Sequence, residues 1–474
     1  MAPNVLCVVL DTARADAFEP YGAPAGASPA VADLARRGKA LPHAYSTASW
    51  TLPAHASMFT GLMPRALGLT QPPEETPQSA RPRLEAVRDR MLPEVLRAGG
   101  YETRAVSANL WVSPHCGFDI GFERFHYIEP RHQMAMQVAG KSGARQRLGW
   151  ALEGLRSHND DGASRALGVL QEWAQEKRER PFFWFVNLVE CHSPYLPPRP
   201  WNDLGAIDRI RAGQDAREHQ SFYGVCKTCG GRWEIPDSSL QRMRHLYARS
   251  VAYADDWVGR LLESLDRHRL LDETLVLVTS DHGENLGESR LFGHAFSLDE
   301  RLIHVPFVAA GPGSPDDSKA FSLGDLPHMV AEAAGLAEHP YERRISPPVA
   351  QFDPPGPAEH PRVQKFVREL DLGNDGLERL TAVLSSACDG SRKVVRRDGR
   401  DLLYDLSADP LEEHPLGSSA PAPEFDSLRA AIDAADHAPA ASAPDGAPPP
   451  APAPAASPEE MAELERQMKL LGYM

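Results

Sequence analysis

The sequence predicts an α/β protein with a mostly parallel central sheet that is flanked by helices. Short, continuously apolar runs recur along the first two thirds of the chain, and helical patterns lie between them. Strands that are apolar throughout are typical of parallel sheets, because helices cover both faces of such a sheet. After about Gly311 the alternation stops and prolines cluster, which predicts a smaller C-terminal subdomain of α+β type.

The individual elements follow from the apolar patterns in chain order. The predicted strands of the sheet are Val5–Leu10, Thr103–Ser107, Phe182–Val189, Leu275–Thr279 and Val305–Ala309. Apolar residues at helical spacing predict helices at Ala30–Arg37, Met91–Ala98 and Leu240–Leu271. In the C-terminal part, Arg392–Arg396 and Asp401–Leu406 predict a small sheet or hairpin.

Composition divides the chain into four predicted parts. The main domain is expected at residues 1–335, with an insertion loop at about 203–237, and the C-terminal subdomain at residues 336–437. Residues 438–458 are rich in alanine and proline, a composition typical of linkers. A short C-terminal helix is predicted within residues 459–474.

The net charge and the cysteine content exclude several classes of function and partner. The 474 residues carry a formal net charge of −15, which disfavours nucleic acid and anionic membranes as partners. Six cysteines in so long a chain do not suggest a disulfide framework. No stretch approaches the roughly 18 apolar residues of a membrane span, and the N-terminus lacks a basic leader. We therefore expect a cytoplasmic protein without a membrane span, whose oligomeric state stays open.

Polar residues follow three of the predicted strands. Asp11 follows the first strand, Asp281 and His282 follow Leu275–Thr279, and His192 closely follows Phe182–Val189. Ligands of open parallel sheets bind beyond the carboxyl ends of the strands. Carboxylates and imidazoles together suit Mg, Mn, Ca or Zn. Taken alone, each aspartate could as well be the N-cap of a following helix as a metal ligand. The two aspartates together with His282 predict a metal site.

A second candidate is the hydroxyl of Thr51. Thr51 and Pro53 open a helical pattern, so the hydroxyl lies where a helix dipole stabilises negative charge. Threonine is a poor nucleophile until a metal ion lowers the pKa of its hydroxyl. The alternative is an ordinary threonine N-cap, and only the neighbouring metal site favours catalysis.

These segments, in this order, resemble the signatures of the sulfatase family, a branch of the alkaline phosphatase superfamily. The resemblance covers nearly the whole chain. The matching segments are Asp11–Asp16, Ser49–Gly61, Gly117–Phe122, Cys191–Tyr195, Thr279–Glu284 with Gly293-His294, and Leu402–Leu406 with Asp409-Pro410. The resemblance implies an alkaline-phosphatase-like fold for the main domain and a hydrolase that acts on a small anionic ester.

The resemblance also implies roles for individual residues. The metal ligands correspond to Asp11, Asp281 and His282, and the nucleophile that also touches the metal corresponds to Thr51. His55 occupies the basic position of the nucleophile motif. His192 and His294 occupy positions that bind the anionic group and protonate the leaving oxygen, and Arg14 is either a further counter-charge or a surface arginine.

Two departures from the family pattern shape the expected chemistry. Sulfatases carry Cys or Ser, followed by x-Pro-x-Arg, and convert it to formylglycine; Thr51 and His55 stand at these positions here. Formylglycine should therefore not form, and related enzymes with a threonine nucleophile act on phosphorus esters. Thr12 stands where many sulfatases have a second aspartate, which implies a single divalent ion: Mn, Zn, Mg or Ca.

We therefore expect a metal-dependent hydrolase of sulfate or phosphate/phosphonate esters, with phosphorus esters favoured. The alternatives are a phospho-group transferase and a non-catalytic metal-binding protein that keeps the fold. Three minor features stay open. Cys226 and Cys229 with His219 or His245 suggest half a zinc site, or else only an insertion loop. Asn109, Trp111 and His115 follow a strand and are candidates for lining the pocket. His268, His328 and His414 are expected to be surface or core fillers.

Overall fold

The computed structural model describes residues 2–71, 76–129, 144–157, 160–315, 319–342, 347–354, 356, 361–416 and 423–441. The strands are β1 Asn4–Leu10, β2 Lys39–Ala40, β3 Ala44–Tyr45, β4 Glu102–Ser107, β5 Arg124–Tyr127, β6 Phe182–Leu188, β7 Thr274–Thr279, β8 Asn285–Leu286, β9 Phe292–Gly293, β10 His304–Val305, β11 Phe307–Ala310, β12 Phe321–Ser322, β13 Val349–Phe352, β14 Leu384–Cys388, β15 Arg392–Arg397 and β16 Arg400–Asp405. The α-helices are α1 Pro29–Arg37, α2 Thr51–Thr60, α3 Pro64–Leu67, α4 Arg81–Glu85, α5 Leu92–Ala98, α6 Ala144–Arg156, α7 Ala163–Gln175, α8 Ala206–His219, α9 Phe222–Cys229, α10 Asp237–Arg267, α11 Glu300–Ile303, α12 Leu326–Ala333, α13 Pro361–Leu370, α14 Asn374–Thr381 and α15 Asp426–Asp436.

The central sheet confirms the predicted fold class. It has seven strands in the order β2-β11-β7-β1-β6-β4-β5. The five strands from β7 to β5 are parallel, and β11 runs antiparallel to β7 at the other side. The strands β1, β6 and β7 are buried along almost their whole length, as their apolar sequences require. Because β1 is parallel to both of its neighbours, β6 and β7, the carboxyl ends of these three strands lie at the same edge of the sheet.

The prediction of one strand at Val305–Ala309 was wrong in detail. Pro306 separates β10, which pairs with β3, from β11, which joins the central sheet. Proline has no N–H to donate to a ladder, so the run divides there into two short strands that belong to different sheets.

Helices cover both faces of the sheet. The longest, α10, has 31 residues and packs against α1 and α7. Its buried Asp255 accepts hydrogen bonds from the backbone N–H groups of Ala30 and Val31, at 3.0 and 2.8 Å. Asp255 thus caps the first turn of α1, where the helix leaves backbone donors unpaired.

The C-terminal part forms a four-stranded antiparallel sheet, β13-β14-β15-β16, against which α15 packs. The predicted hairpin is confirmed as β15 and β16, joined at Asp398-Gly399. Both turn residues have positive φ, 46° and 78°, as a two-residue hairpin turn with Asp-Gly requires. Arg65 of α3 ties this sheet to the rest, since its guanidinium contacts Asp353 and Asp436 at 2.7 and 2.5 Å.

Three predicted segments remain: the insertion loop, the linker and the C-terminal helix. Residues 203–237, which we expected to form a loop, contain α8 and α9. The predicted linker at 438–458 lies almost wholly outside the described residues, and the predicted C-terminal helix lies entirely outside them.

Candidate active site

The predicted metal ligands converge at the carboxyl edge of the sheet. Asp11 follows β1, and Asp281 and His282 follow β7, so adjacent parallel strands deliver them side by side. The Nε2 atom of His282 lies 4.0 Å from Asp11 Oδ1 and 3.4 Å from Asp281 Oδ2. All three side chains are fully buried. The alternative role as helix caps fails, because no helix begins at either aspartate.

The unpaired oxygens of this cluster fit a divalent cation. Asp11 Oδ1 and Asp281 Oδ2 have no hydrogen-bond partner, although both are buried. Burial, followed by the charge of Asp281, raises the pKa of Asp11 well above its usual range. Two buried carboxylates this close need a positive charge to stay ionised together. An ion with metal–ligand bonds of about 2.0–2.3 Å separates neighbouring ligand atoms by about 3–4 Å, as found here.

The protonation of His282 also suits ligation. Its Nδ1–H donates to the carbonyl oxygen of Gly283 at 2.9 Å, which leaves the Nε2 lone pair facing the carboxylates. Burial lowers the pKa of His282 to about 4, so the ring is neutral at pH 7. A backbone partner that fixes the tautomer in this way is usual for metal-binding histidines. Position 283 must be glycine because its backbone packs against that of Arg301. A Cβ there would lie 1.9 Å from the Arg301 carbonyl oxygen.

Thr51 completes the cluster. It is the first residue of α2, and its Oγ1 lies 3.4 Å from His282 Nε2. Trp50, not Thr51, is the N-cap residue, so the reading of Thr51 as an ordinary N-cap does not hold. The hydroxyl faces the metal ligands from the positive end of a fully buried helix.

His55 lies one helical turn below Thr51 and points into the sheet. Its Nδ1 lies 3.0 Å from the Thr51 carbonyl oxygen and 3.5 Å from Asp281 Oδ2, and its Nε2 lies 3.3 Å from Asn187 Nδ2. Burial, the largest effect, lowers the pKa of His55. The ring is therefore neutral, with Nδ1–H as donor and Nε2 as acceptor. The structure places His55 among the supports of Thr51 and Asp281 rather than at the mouth of the site.

His192 and His294 lie together on the open side of the cluster. Their ring centroids are 5.0 Å apart, and the ring of His294 lies 4.8 Å from that of His282. His294 Nδ1 is 3.1 Å from the buried carboxylate of Glu284. Burial lowers the pKa of His294, but the Glu284 carboxylate outweighs it and the net pKa is raised. Burial and the neighbouring His294 lower the pKa of His192, whose Nδ1–H donates to the Ser193 carbonyl oxygen at 2.6 Å.

Three supporting residues were not predicted with these roles. Asn109 Nδ2 donates to Asp11 Oδ2 at 2.6 Å, and its Oδ1 accepts from the Trp111 backbone N–H at 2.8 Å. Asn187 reaches His55 from β6, and Glu284 holds His294. The signal for Asn109 was its place just after β4 at the same edge. Asn187 lies inside an apolar strand, where one buried amide already indicates a polar partner.

Other sequence candidates are not part of the metal cluster itself. Arg14 is not a surface residue: it is buried, and it pairs with Asp16 and Glu288 at 2.6 and 2.8 Å. Within the described residues, Cys226 and Cys229 form no group of potential metal ligands with His219 or His245. Cys229 Sγ donates to the Phe292 carbonyl oxygen, His219 contacts Trp233, and His245 pairs with Asp203.

The fold and the buried cluster agree with the resemblance of the sequence to the sulfatase family. A family model described as Sulfatase matches residues 3–382, and the chain belongs to the sulfatase family. Within the part of the chain that the structure describes, no helix is both long and apolar enough to cross a membrane.

Comparisons with known proteins agree with this assignment. The chain is 25% identical over 344 residues to a choline-sulfatase of Rhizobium meliloti, a match that covers 66% of this chain and 63% of the relative. It is 24% identical over 367 residues to the multifunctional alkaline phosphatase superfamily protein PehA of Trinickia caryophylli, covering 65% and 68%. Its fold is similar to the crystal structure of the phosphonate monoester hydrolase of Agrobacterium radiobacter. The TM-score is 0.63, at 18% identity over 91% of this chain and 94% of that one.

Proposed function

We propose that the protein hydrolyses a monoanionic phosphorus ester, a phosphonate monoester or a phosphate diester, with Thr51 as the nucleophile. The observation that carries the proposal is the position of the Thr51 hydroxyl, 3.4 Å from His282 Nε2 beside two unpaired carboxylate oxygens. Threonine cannot become formylglycine, so the site lacks the group with which the sulfatases it resembles attack sulfate esters. A covalent intermediate on threonine is compatible with phosphorus chemistry.

The charges of the site support a substrate with one negative charge. The cluster consists of two aspartates and the neutral His282, and the charge of a protonated His294 is offset by its partner Glu284. The nearby Arg14 is engaged by its own acidic partners. A dianionic phosphate monoester would meet little positive charge beyond the ion itself. A sulfate monoester is also a monoanion and is therefore the second candidate, supported by the family and by the choline-sulfatase match.

The reaction follows from the positions of the side chains. When bound at Asp11, Asp281 and His282, a divalent cation would lower the pKa of the Thr51 hydroxyl and offset the substrate charge. Thr51 attacks as the alkoxide after its proton has passed to solvent: Oγ1 forms a bond to phosphorus while the bond from phosphorus to the leaving oxygen breaks. Water then attacks phosphorus, the bond from phosphorus to Oγ1 breaks, and Thr51 leaves as the alkoxide.

The proton for the leaving oxygen comes from His294. Glu284 raises the pKa of His294 and holds its Nδ1–H, so that Nε2–H is the donor. His192 is neutral and donates Nδ1–H to a backbone carbonyl, so its Nε2 can only accept a hydrogen bond. General acid catalysis of this kind contributes about 10²–10⁴-fold to the rate. In the second step the neutral His294 takes a proton from the attacking water.

The proposal is tested by turnover of three 4-nitrophenyl esters: a methylphosphonate monoester, a phosphate diester and a sulfate monoester. Because all three release 4-nitrophenol, differences in rate report on the phosphorus or sulfur group alone. We expect kcat/KM to be at least tenfold higher for either phosphorus ester than for the sulfate. Asp281→Asn should lose most of this activity, whereas the control Asp256→Asn on the surface of α10 should keep it. A preference for the sulfate ester would contradict the proposed substrate class but leave the site assignment intact.

A further inference from the structure

A second cluster of metal-binding side chains lies outside the active site. His328 and Glu332 are separated by one turn of α12, so their side chains share a face of the helix. His339 approaches the same face from the following loop. One ligand atom from each residue lies within 4.8 Å of the other two. His328, which we expected to be a surface or core filler, thus lies among potential metal ligands.

The geometry of this His328–Glu332–His339 cluster matches a zinc set. His339 Nε2 is 3.2 Å from Glu332 Oε1, close to the separation of about 3.3–3.5 Å between two ligands that bind one zinc at about 2.0–2.1 Å. The rings of His328 and His339 are nearly perpendicular, with centroids 5.3 Å apart. Two imidazoles and one carboxylate are a donor set that suits zinc better than Mg or Ca.

We propose that His328, Glu332 and His339 form a second, zinc-binding site. The Glu332 side chain is 63% exposed, so it can rotate to close the remaining gap, and water can fill the fourth ligand position. If zinc binds His339 Nε2, the ring proton must lie on Nδ1. Nδ1 then no longer accepts the hydrogen bond that the Tyr341 backbone N–H donates to it at 3.3 Å.

The site lies beside contacts that reach the helix carrying Thr51. The ring of Tyr341 stacks on His339 with centroids 5.5 Å apart, and it packs against Gly61, the residue that ends α2. The Tyr341 hydroxyl donates to the Arg90 carbonyl oxygen at 3.0 Å. Because α12 itself packs on α2, zinc at this cluster fixes the loop that supports the far end of the helix carrying Thr51.

Zinc stoichiometry tests this proposal independently of the catalytic chemistry. Metal-free protein is titrated with zinc chloride in a calorimeter, and bound zinc is counted after gel filtration. We expect the double variant His328→Gln/Glu332→Gln to bind one equivalent less than the wild type, with kcat unchanged by the double substitution. Asp281→Asn, which disrupts the active-site cluster, should still bind one equivalent, and the exposed control His414→Ala should bind as much as the wild type.

Thermal unfolding supplies a second readout that does not depend on activity. In the Asp281→Asn background, excess zinc should raise Tm by a few degrees, because a ligand that binds only the folded state stabilises it. Adding Glu332→Gln, which alters an exposed side chain and should not disturb folding, should abolish that rise. A double variant that binds as much zinc as the wild type, or an Asp281→Asn variant that binds none, would overturn the second site.

Discussion

Glu190 offers a quantitative test of the electrostatics beside the active site. It follows the last strand residues of β6 and precedes Cys191-His192, but its carboxylate turns away from the metal cluster. Glu190 Oε1 accepts the backbone N–H of Ala163 at 2.9 Å, in the first turn of α7. Burial, then the charges of Asp161 and Asp160, raise the pKa of Glu190 from 4.5 to about 8. Glu190→Gln keeps the shape and the acceptor but removes the charge.

The sign of the effect follows from proton binding. Between pH 4.5 and about 8 the folded protein holds a proton on Glu190 that the unfolded chain has lost, so the stability of the wild type falls as pH rises through this window. The difference between a pKa of 4.5 and one of about 8 corresponds to at most about 5 kcal/mol, at about 1.4 kcal/mol per pKa unit. Glu190→Gln has no group to titrate at this position, so its stability lacks this decrease with pH.

Urea unfolding at pH 5, 6.5 and 8 measures the difference. We expect Glu190→Gln to gain stability relative to the wild type by several kcal/mol between the lowest and the highest pH, on the order of the bound above. Glu179, which is exposed, provides the matched control, and Glu179→Gln should show a constant difference. A constant difference for Glu190→Gln as well would refute the reasoning, because Glu190 would then already be ionised in the folded state at pH 5.

Three further predictions concern residues that support the site or the fold. Asn109→Ala removes a hydrogen bond to Asp11 and should weaken metal binding by about 10–100-fold in a metal titration; unchanged affinity would contradict its positioning role. Glu284→Gln should lower kcat by about 10–100-fold with little change in KM, and no more than His294→Ala does, since Glu284 acts through that ring. Arg65→Ala leaves two half-buried aspartates unpaired and should cost about 3 kcal/mol in urea unfolding, with a normal kcat for the protein that stays folded.

The sequence was most informative where local pattern and position coincide. Fully apolar strands identified the parallel sheet, and the rule that ligands bind at the carboxyl ends of such strands brought Asp11, Asp281 and His282 together correctly. The hairpin at Asp398-Gly399 was visible because two-residue turns demand those residue types. In each case the residue types of a short segment, together with the general geometry of sheets and turns, determine where the side chains lie.

What the sequence did not show depends on contacts between distant segments. His55 was assigned as a basic residue by analogy, but its burial between α2 and β6 makes it neutral, and no linear pattern reveals that burial. The division of Val305–Ala309 at Pro306 depends on which neighbouring strand each half meets. His339 lies eleven residues from His328, in a loop whose path over α12 could not be read from periodicity.

The central claim is that Thr51 becomes covalently linked to the substrate phosphorus. Its most direct test is intact-mass analysis of enzyme quenched during turnover of an aryl phosphonate ester, followed by peptide mapping. We predict an added phosphonyl mass on the peptide that contains Thr51, absent from Thr51→Ala and from enzyme treated with a chelator. An adduct on a different residue, or undiminished turnover by Thr51→Ala, would contradict the account.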